Sequence, residues 1–237
     1  ISIDDKYSRK IFFNKEIKNK ISFSIIDKTA NFYMENNLIL DNYFKKNKKI
    51  YINKVSKSLE GNFNNQNILI AYICSKLLKL PEKYFLNTIK KFKGLPFRSE
   101  IIFDNKKIKV INNSKSTNIN STINSINNYK NIYLILGGIA KEKNFEVFAK
   151  YKKNINCIYV FGSSADFIEN QLKKSIKIKK FKKLQFLVKE VFNDIKNNNS
   201  KLVILFAPAC TSFDQFKNFE ERGKVFTKLI NQNLKKL

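Results

Sequence analysis

The segment Phe206-Ala-Pro-Ala-Cys-Thr-Ser-Phe-Asp-Gln-Phe-Lys-Asn-Phe-Glu-Glu-Arg-Gly223 follows an apolar run that begins at Leu202. Five consecutive apolar residues, Leu202–Phe206, are typical of a strand that is buried on both faces. From Phe216 to Leu234 apolar residues recur at helical spacing. Residues 209–214 are therefore predicted to form a loop between the carboxyl end of a strand and a helix, where open α/β sheets bind their ligands.

Ser212 lies in this loop, ahead of the predicted helix. A serine at such a position often caps the helix by accepting a hydrogen bond from its first turn. The same hydroxyl, together with the backbone N–H groups at a helix start, also suits a carboxylate or a phosphate. The residues alone leave both interpretations open.

Three further apolar runs upstream are typical of buried strands, namely Ile108–Ile111, Ile132–Leu136 and Cys157–Phe161. Helical patterns lie between the strands, near 117–128, 145–151, 164–173 and 184–197. This alternation predicts an α/β fold with a Rossmann-like parallel sheet in the C-terminal part of the chain. There is no Gly-x-Gly-x-x-Gly sequence, so a dinucleotide fingerprint is absent.

The N-terminal part of the chain has a different pattern. Short apolar runs in the first 60 residues predict strands and hairpins, at Ile21–Ile26, Asn31–Leu40 and Lys49–Asn53. Two helices follow, and Pro81 lies at the start of the second. Gly94–Glu100 is predicted to be a linker. We therefore expect an α+β domain over 1–94 and the Rossmann-like domain over 95–237.

The charge of the chain is strongly positive, with 46 Lys and Arg against 19 Asp and Glu and a net charge of +27. Such a balance is common in proteins that bind nucleic acid. Here the excess is almost all lysine, spread along the chain, and the only arginines are Arg9, Arg98 and Arg222. Because base readers rely on arginine forks, we predict no specific nucleic-acid partner, only weak adhesion at low salt.

The chain has no histidine, which excludes histidine-based triads and histidine-ligated zinc within it. Cys74, Cys157 and Cys210 have no paired spacing and are expected to be buried free thiols of a reducing compartment. No metal site is predicted. No apolar run approaches transmembrane length, so we expect no membrane insertion. Since the chain begins with Ile1, we expect it to be a fragment.

Three polar loops follow predicted strands and should meet at one edge of the sheet. They are 112–118, 137–141 and 209–214. Lys115, Lys141 and the nearby hydroxyls would suit a dicarboxylate through charge-assisted hydrogen bonds. Each lysine taken singly is equally typical of a solvated surface cation in so lysine-rich a chain.

Two of these loops carry motifs of a known family. The run Pro-Ala-Cys-x-Ser-x-Asp-Gln-Phe-x-x-Phe-x-x-Arg-Gly, which ends at Gly223, closely resembles the C-terminal signature of the Mur ligase family, in its D-glutamate-adding branch. Residues 112–118 resemble the family motif Asn-Asp-Ser-Lys-x-Thr-Asn. The resemblance implies that 1–94 is the end of the central ATP-binding domain, without its phosphate-binding loop, and that 95–237 is the C-terminal ligase domain.

The resemblance also implies an activity for the intact protein. It would be a cytoplasmic, monomeric, ATP-dependent ligase of peptidoglycan precursor synthesis that joins D-glutamate to UDP-N-acetylmuramoyl-L-alanine through an acyl phosphate. ATP and Mg²⁺ would be held mainly by the upstream part, so the fragment would be inactive alone. The chain departs from the family pattern at Asn113, where aspartate is usual, and at Phe97, where histidine is usual.

The roles implied by the resemblance fall into three sets. Lys115 would be catalytic. The D-glutamate site would comprise Thr117, Lys141, Ser212, Phe213 and Phe219. The nucleotide would be contacted by Asn64, Asn67, Arg98 and Asn113.

Other interpretations of these residues stay open. The residues alone also allow Asn64 and Asn67 to be helix caps and Arg98 to form an interdomain salt bridge with Glu100 or another acid. A non-catalytic module for acidic ligands or nucleic acid is the alternative function, and a ligase with another acceptor amino acid is a further possibility.

Overall fold

A computed structural model describes residues 1–61, 64–196, 198 and 200–235. Within it the chain folds as two compact units, Ile1–Gly94 and Leu95–Leu237, which we call the first and the second unit.

The first unit is α+β and contains a small four-stranded sheet. Its elements are α1 (Lys6–Phe13), β1 (Phe23–Ser24), β2 (Phe32–Glu35), β3 (Leu38–Asp41), β4 (Lys48–Tyr51), α2 (Asn65–Leu77) and α3 (Glu82–Lys91). The strand order is β1-β2-β3-β4, with β1 and β2 parallel and the other pairs antiparallel. Buried side chains such as Phe32, Ile39, Tyr72 and Phe85 join the sheet to α2 and α3.

The helix Lys6–Phe13 was missed, because only strands and hairpins were predicted within the first 60 residues. Asp5 caps this helix, since its carboxylate accepts the backbone N–H groups of Tyr7 at 2.9 Å and Ser8 at 3.0 Å. No residue of α1 is buried. The helix is therefore held by its cap and not by a buried face.

The second unit confirms the predicted α/β fold. Its elements are β5 (Glu100–Asp104), β6 (Ile108–Asn112), α4 (Ile119–Ile126), β7 (Ile132–Gly137), a 3₁₀ helix (Phe145–Tyr151), β8 (Ile155–Phe161), α5 (Ala165–Leu172), β9 (Ile178–Phe181), α6 (Leu184–Ile195), β10 (Leu202–Phe206) and α7 (Phe219–Leu234). The strand order is β5-β6-β10-β7-β8-β9, and every pair is parallel except β5 with β6.

Both edge strands of this sheet were missed. β5 begins at Glu100, where a linker was predicted, and pairs antiparallel with β6. β9 has the sequence Ile-Lys-Lys-Phe and is only half-buried. Edge strands need not be apolar on both faces, so they lack the continuous hydrophobic run that identifies β10, whose five residues are all buried.

The sheet is covered by helices on both faces. One core joins it to α4, the 3₁₀ helix and α5, and the other joins it to α6 and α7. Because β10 lies between β6 and β7, the loops that follow these three strands are neighbours.

A cluster of charges at the β8–β9 side of the sheet predicts acid sensitivity. Lys179 Nζ lies 2.7 Å from both Glu190 Oε1 and Asp194 Oδ1. The hydrogen bond from Lys179 lowers the pKa of Glu190. For Asp194, burial raises the pKa, but hydrogen bonds from Lys179 and Tyr159 outweigh it and the net pKa is lowered.

Carboxyl groups with a lowered pKa in the folded state stabilise it above their unfolded value of about 4, and this stabilisation is lost as the pH falls through the folded value. We therefore expect the urea midpoint to stay level from neutral pH to about 5 and to fall below it. Asp194→Asn should reduce this acid dependence, whereas Glu146→Gln, at an exposed carboxyl, should not. Equal acid dependence in all three proteins would contradict the assignment.

The burial of the three cysteines tests another expectation. Cys157 and Cys210 are buried, as predicted, but Cys74 is exposed, so the prediction is wrong for that thiol. No helix in the described part of the chain has the length and apolar character needed to cross a membrane.

Candidate functional site

The three polar loops predicted from the sequence are hydrogen-bonded to each other. The backbone N–H of Ala209 donates to the carbonyl of Ser116 at 3.0 Å. Ile139 and Thr211 exchange backbone hydrogen bonds of 3.0 and 2.9 Å, which form an isolated antiparallel bridge. The loop after β10 therefore holds the loops after β6 and β7 on either side of it.

Gly138 makes this close approach of the second and third loops possible. Its φ is +124°, and a Cβ added there would overlap the carbonyl oxygen of Thr211. That carbonyl accepts the Ile139 N–H, so it has little freedom to move away. Only glycine meets both the backbone and the steric requirement.

Arg222 of α7 forms hydrogen bonds with all three loops. Its guanidinium donates to the Ser114 carbonyl at 2.8 Å and Ser114 Oγ at 3.1 Å, to the Gly137 carbonyl at 3.3 Å and to the Cys210 carbonyl at 3.0 Å. The three acceptor residues belong to three different loops. The side chain is fully buried, and its planar fork of donors fits three separate carbonyl directions.

Burial lowers the pKa of Arg222 to about 10, so the group remains protonated at neutral pH. No salt bridge to it occurs within the described residues. The guanidinium is instead surrounded by backbone carbonyls and by the Phe206 ring, whose centre lies 5.9 Å from the guanidinium carbon. Sequence reasoning gave Arg222 no role, although an arginine inside a signature of so lysine-rich a chain was a usable signal.

Lys115, the predicted catalytic residue, lies beside Phe219. Its ammonium is 4.0 Å from the centre of the Phe219 ring, a cation–π contact that restricts the lysine side chain. Ser114 Oγ donates to the Phe219 carbonyl at 2.8 Å, and Lys115 N–H donates to the Phe97 carbonyl at 3.1 Å. Two predicted site residues from distant parts of the sequence are thus in contact.

Thr117 and Ser212 provide two hydroxyl groups in the first and third loops. Ser212 is 2% exposed and Thr117 is half-buried. Within the described residues, neither side-chain oxygen is hydrogen-bonded to the protein. Both hydroxyls therefore keep their hydrogen-bonding capacity for another molecule.

The alternative that Ser212 caps the following helix is wrong. α7 begins at Phe219, and its cap is Asn218, whose side chain accepts the Glu221 N–H at 2.8 Å. The helical spacing that started at Phe216 overestimated the helix by one turn. Ser212 instead lies in a turn in which its carbonyl accepts the N–H groups of Gln215 and Phe216.

Lys141 and Phe213 are exposed, Phe213 by 68%. In the described part of the structure Lys141 forms no salt bridge. The loop that carries it is fixed on its far side, where Glu142 accepts the Ile119 N–H at 2.6 Å. The loop is therefore anchored while the ammonium of Lys141 stays free.

Arg98 and Asn113 are the predicted nucleotide contacts of the second unit. Arg98 is exposed, and the alternative of a salt bridge is wrong, because within the described residues Arg98 pairs with neither Glu100 nor another acid. The Glu100 carboxylate accepts the Phe97 N–H at 2.9 Å. Asn113 is buried and its side-chain amide donates to Ser125 Oγ at 2.7 Å. An aspartate at 113 would lack this donor, which gives the asparagine a structural role of its own.

Asn64 and Asn67 lie at the start of α2 in the first unit. Asn64 occupies the cap position, but its side chain makes no capping hydrogen bond, so the capping interpretation is wrong for it. Its carboxamide instead accepts from Asn67 Nδ2 at 3.3 Å and donates to the Ser58 carbonyl at 3.4 Å.

The described residues contain no group of three acidic or cysteine side chains that could hold a metal ion. Burial raises the pKa of Cys210 to about 12, which keeps it a thiol and not a nucleophilic thiolate.

No protein-family model matches the chain. Among curated proteins, the UDP-N-acetylmuramoylalanine–D-glutamate ligase of Rickettsia bellii is 34% identical over 98% of this chain and 52% of its own length. The ligase of the same name from Buchnera aphidicola subsp. Schizaphis graminum is 38% identical over 96% of this chain and 51% of its own length. This chain is a relative of the C-terminal part of the Mur ligases. It spans about half the length of the curated relatives it matches.

Solved Mur ligase structures share the fold. The match to MurF from Acinetobacter baumannii covers 98% of this chain and 51% of the MurF chain, with a TM-score of 0.70 and 11% sequence identity. The match to UDP-N-acetylmuramate-alanine ligase MurC from Thermotoga maritima covers 90% of this chain and 48% of the MurC chain, with a TM-score of 0.61 and 16% sequence identity. At these identities the likeness shows the fold alone.

Proposed function

We propose that the protein is an ATP-dependent ligase that joins D-glutamate to UDP-N-acetylmuramoyl-L-alanine, and that this chain supplies the D-glutamate site. At the level of the family, relationship to the Mur ligases supports an acid–amino-acid ligase of peptidoglycan synthesis. The observation that carries the finer proposal is the joining of three loops that bear Lys115, Thr117, Lys141 and Ser212.

The charges and hydroxyls of these loops match the chemistry of the acceptor. D-Glutamate has two carboxylates, and two lysines with two unengaged hydroxyls would bind them through charge-assisted hydrogen bonds. The exposed Lys141 would pair with the side-chain carboxylate, and Thr117 and Ser212 would hold the other end of the molecule. Phe213 and Phe219 would cover the apolar part of the side chain.

Lys115 would act at the reacting end of the acceptor. Its contact with the Phe219 ring limits the conformations of the ammonium. A positioned cation stabilises negative charge that develops on oxygen as the amine attacks an activated carboxylate. ATP, when bound, would supply that activation as an acyl phosphate.

The nucleotide contacts are proposed for Asn64, Asn67, Arg98 and Asn113. Arg98 is exposed, and a guanidinium is well shaped for phosphate. Most ATP contacts and the Mg²⁺ ligands would come from the upstream part of the intact protein. Its cytoplasmic location, monomeric state and the inactivity of this chain alone remain predictions.

The test is Lys141→Ala in the full-length protein. Loss of one hydrogen bond to a charged partner is worth about 1.5–3 kcal/mol, so the KM for D-glutamate should rise at least tenfold with the KM for ATP within about twofold. Steady-state phosphate release at varied D-glutamate and varied ATP measures both constants.

Lys143→Ala is the matched control. Lys143 is exposed and lies two residues after Lys141, and its substitution removes the same charge. It should leave both constants near wild type. Unchanged kinetics in Lys141→Ala would remove Lys141 from the site. A wild-type protein that releases phosphate only with another amino acid would overturn the choice of acceptor, and one that binds acidic ligands without turnover would favour the non-catalytic alternative.

A further inference from the structure

Asp214 is part of the signature in the third loop, yet nothing described so far gives it a role. Its Oδ2 accepts the backbone N–H of Ser163 at 3.0 Å, which ties the loop after β10 to the turn after β8. Its Oδ1 is buried and has no hydrogen-bond partner among the described residues. A buried carboxylate oxygen without a donor is costly, so its retention calls for an explanation.

The turn after β8, which Asp214 contacts, is also hydrogen-bonded to the loop that carries Lys141. The Gly138 carbonyl accepts the Ser164 N–H at 3.1 Å, and Ser164 Oγ accepts the Ala140 N–H at 2.9 Å. Ala140 directly precedes Lys141. Asp214 is thus linked to the Lys141 loop through two residues of the turn after β8.

The turn is shaped to receive the carboxylate. Gly162 has a φ of +79°, and a Cβ there would overlap Asp214 Oδ2. A side chain at 162 would therefore push Asp214 out of its place. The close fit shows that the carboxylate and the glycine turn occupy one compact arrangement.

From these contacts we infer that Asp214 is a positioning residue of the amino-acid site. It sets the distance between Ser212, two residues away on its own loop, and Lys141, which it reaches through Ser163 and Ser164. This inference rests on the proposed function, since it concerns the spacing of the groups that would bind the acceptor amino acid in the same site.

The test compares Asp214→Ala, Asp214→Asn and wild type in the full-length protein. Asp214→Ala removes the link to Ser163, so the KM for the amino acid should rise at least tenfold while the KM for ATP stays within about twofold. Asp214→Asn keeps an oxygen that accepts the Ser163 N–H and has the same shape. It should restore the amino-acid KM to within about fivefold of wild type.

Asp166→Asn is the control, because Asp166 is an exposed acid of the same unit that pairs with Lys180. All assays are run well below the melting temperature of the least stable variant. Should Asp214→Ala prove unfolded, Asp214→Asn and Ser163→Pro, which lacks the N–H donor, provide the comparison. Equal changes in both KM values, or no change in either, would overturn the inference.

The wild-type protein separates this inference from the proposed function. If it forms no product with D-glutamate, the proposed acceptor is wrong, and the variants are then compared with the amino acid that it does use. If it uses D-glutamate and Asp214→Ala behaves as wild type, only the role of Asp214 is wrong.

Discussion

Arg222→Met is expected to destabilise the second unit by about 3 kcal/mol or more, since it leaves several buried acceptors without a donor. The carbonyls of Ser114, Gly137 and Cys210 would lose the guanidinium that they share. Methionine fills much of the volume, so the loss reports the hydrogen bonds more than a cavity. Urea unfolding followed by circular dichroism measures the change.

Arg222→Lys should recover only a small part of this loss. An ammonium keeps the charge, but its three donors radiate from one atom and do not match carbonyls on three separate loops. The control is Arg9→Met in the first unit, where the side chain is 52% exposed and pairs with Asp27 at 3.2 Å. An exposed pair of this kind is worth about 1 kcal/mol at most. Equal destabilisation by Arg9→Met and Arg222→Met would contradict the importance of the buried fork.

Activity should fall with Arg222→Met even where the protein is still folded. Each acceptor of Arg222 lies one to four positions from Lys115, Lys141 or Ser212 in the sequence. Small displacements of positioning groups cost large factors in rate. We therefore expect kcat/KM to drop at least a hundredfold under conditions in which the variant is folded.

Gly138→Ala is expected to be the second large effect, about 3 kcal/mol or more in stability, because strain and overlap add. An L-residue at φ +124° is strained, and its Cβ would displace the Thr211 carbonyl from the bridge with Ile139. The second and third loops would separate, so the amino-acid KM should rise as well. Denaturation and kinetics of the same preparation measure both effects.

Ala209→Gly is the control for Gly138→Ala, since it changes the same pair of residue types in the opposite direction within the same loops. Ala209 has a φ of +57°, which glycine adopts without strain. Relief of strain and the added freedom of the unfolded chain oppose each other, so the change should stay within about 1 kcal/mol. If Gly138→Ala were as mild, the bridge between the loops would not be what fixes their spacing.

Much of the fold was predictable because buried parallel strands leave a strong signal. The runs Ile132–Leu136 and Leu202–Phe206 are apolar throughout, and the helices between strands show their spacing. The edge strands β5 and β9 were not predictable in this way, because their half-buried or exposed residues do not form a run that is buried on both faces.

The candidate site was also predictable only in part. Motifs in the sequence identified the loops at 112–118, 137–141 and 209–214, and their residue types indicated an acidic ligand. The sequence left open whether Ser212 caps a helix and whether Arg98 pairs with Glu100. Both questions depend on distances between residues that helix and strand patterns do not specify, and tertiary contacts answered both in the negative.

The amino-acid pattern was enough to predict the alternation of strands and helices, the family relationship and the three loops that carry polar groups. The three-dimensional structure was needed to show that β10 lies between β6 and β7, that Arg222 joins the three loops through their carbonyls, and that Asp214 accepts a hydrogen bond from Ser163. This difference arises because local patterns report which face of an element is buried. The partner of a buried polar group is set by strand order and close packing over long sequence separations.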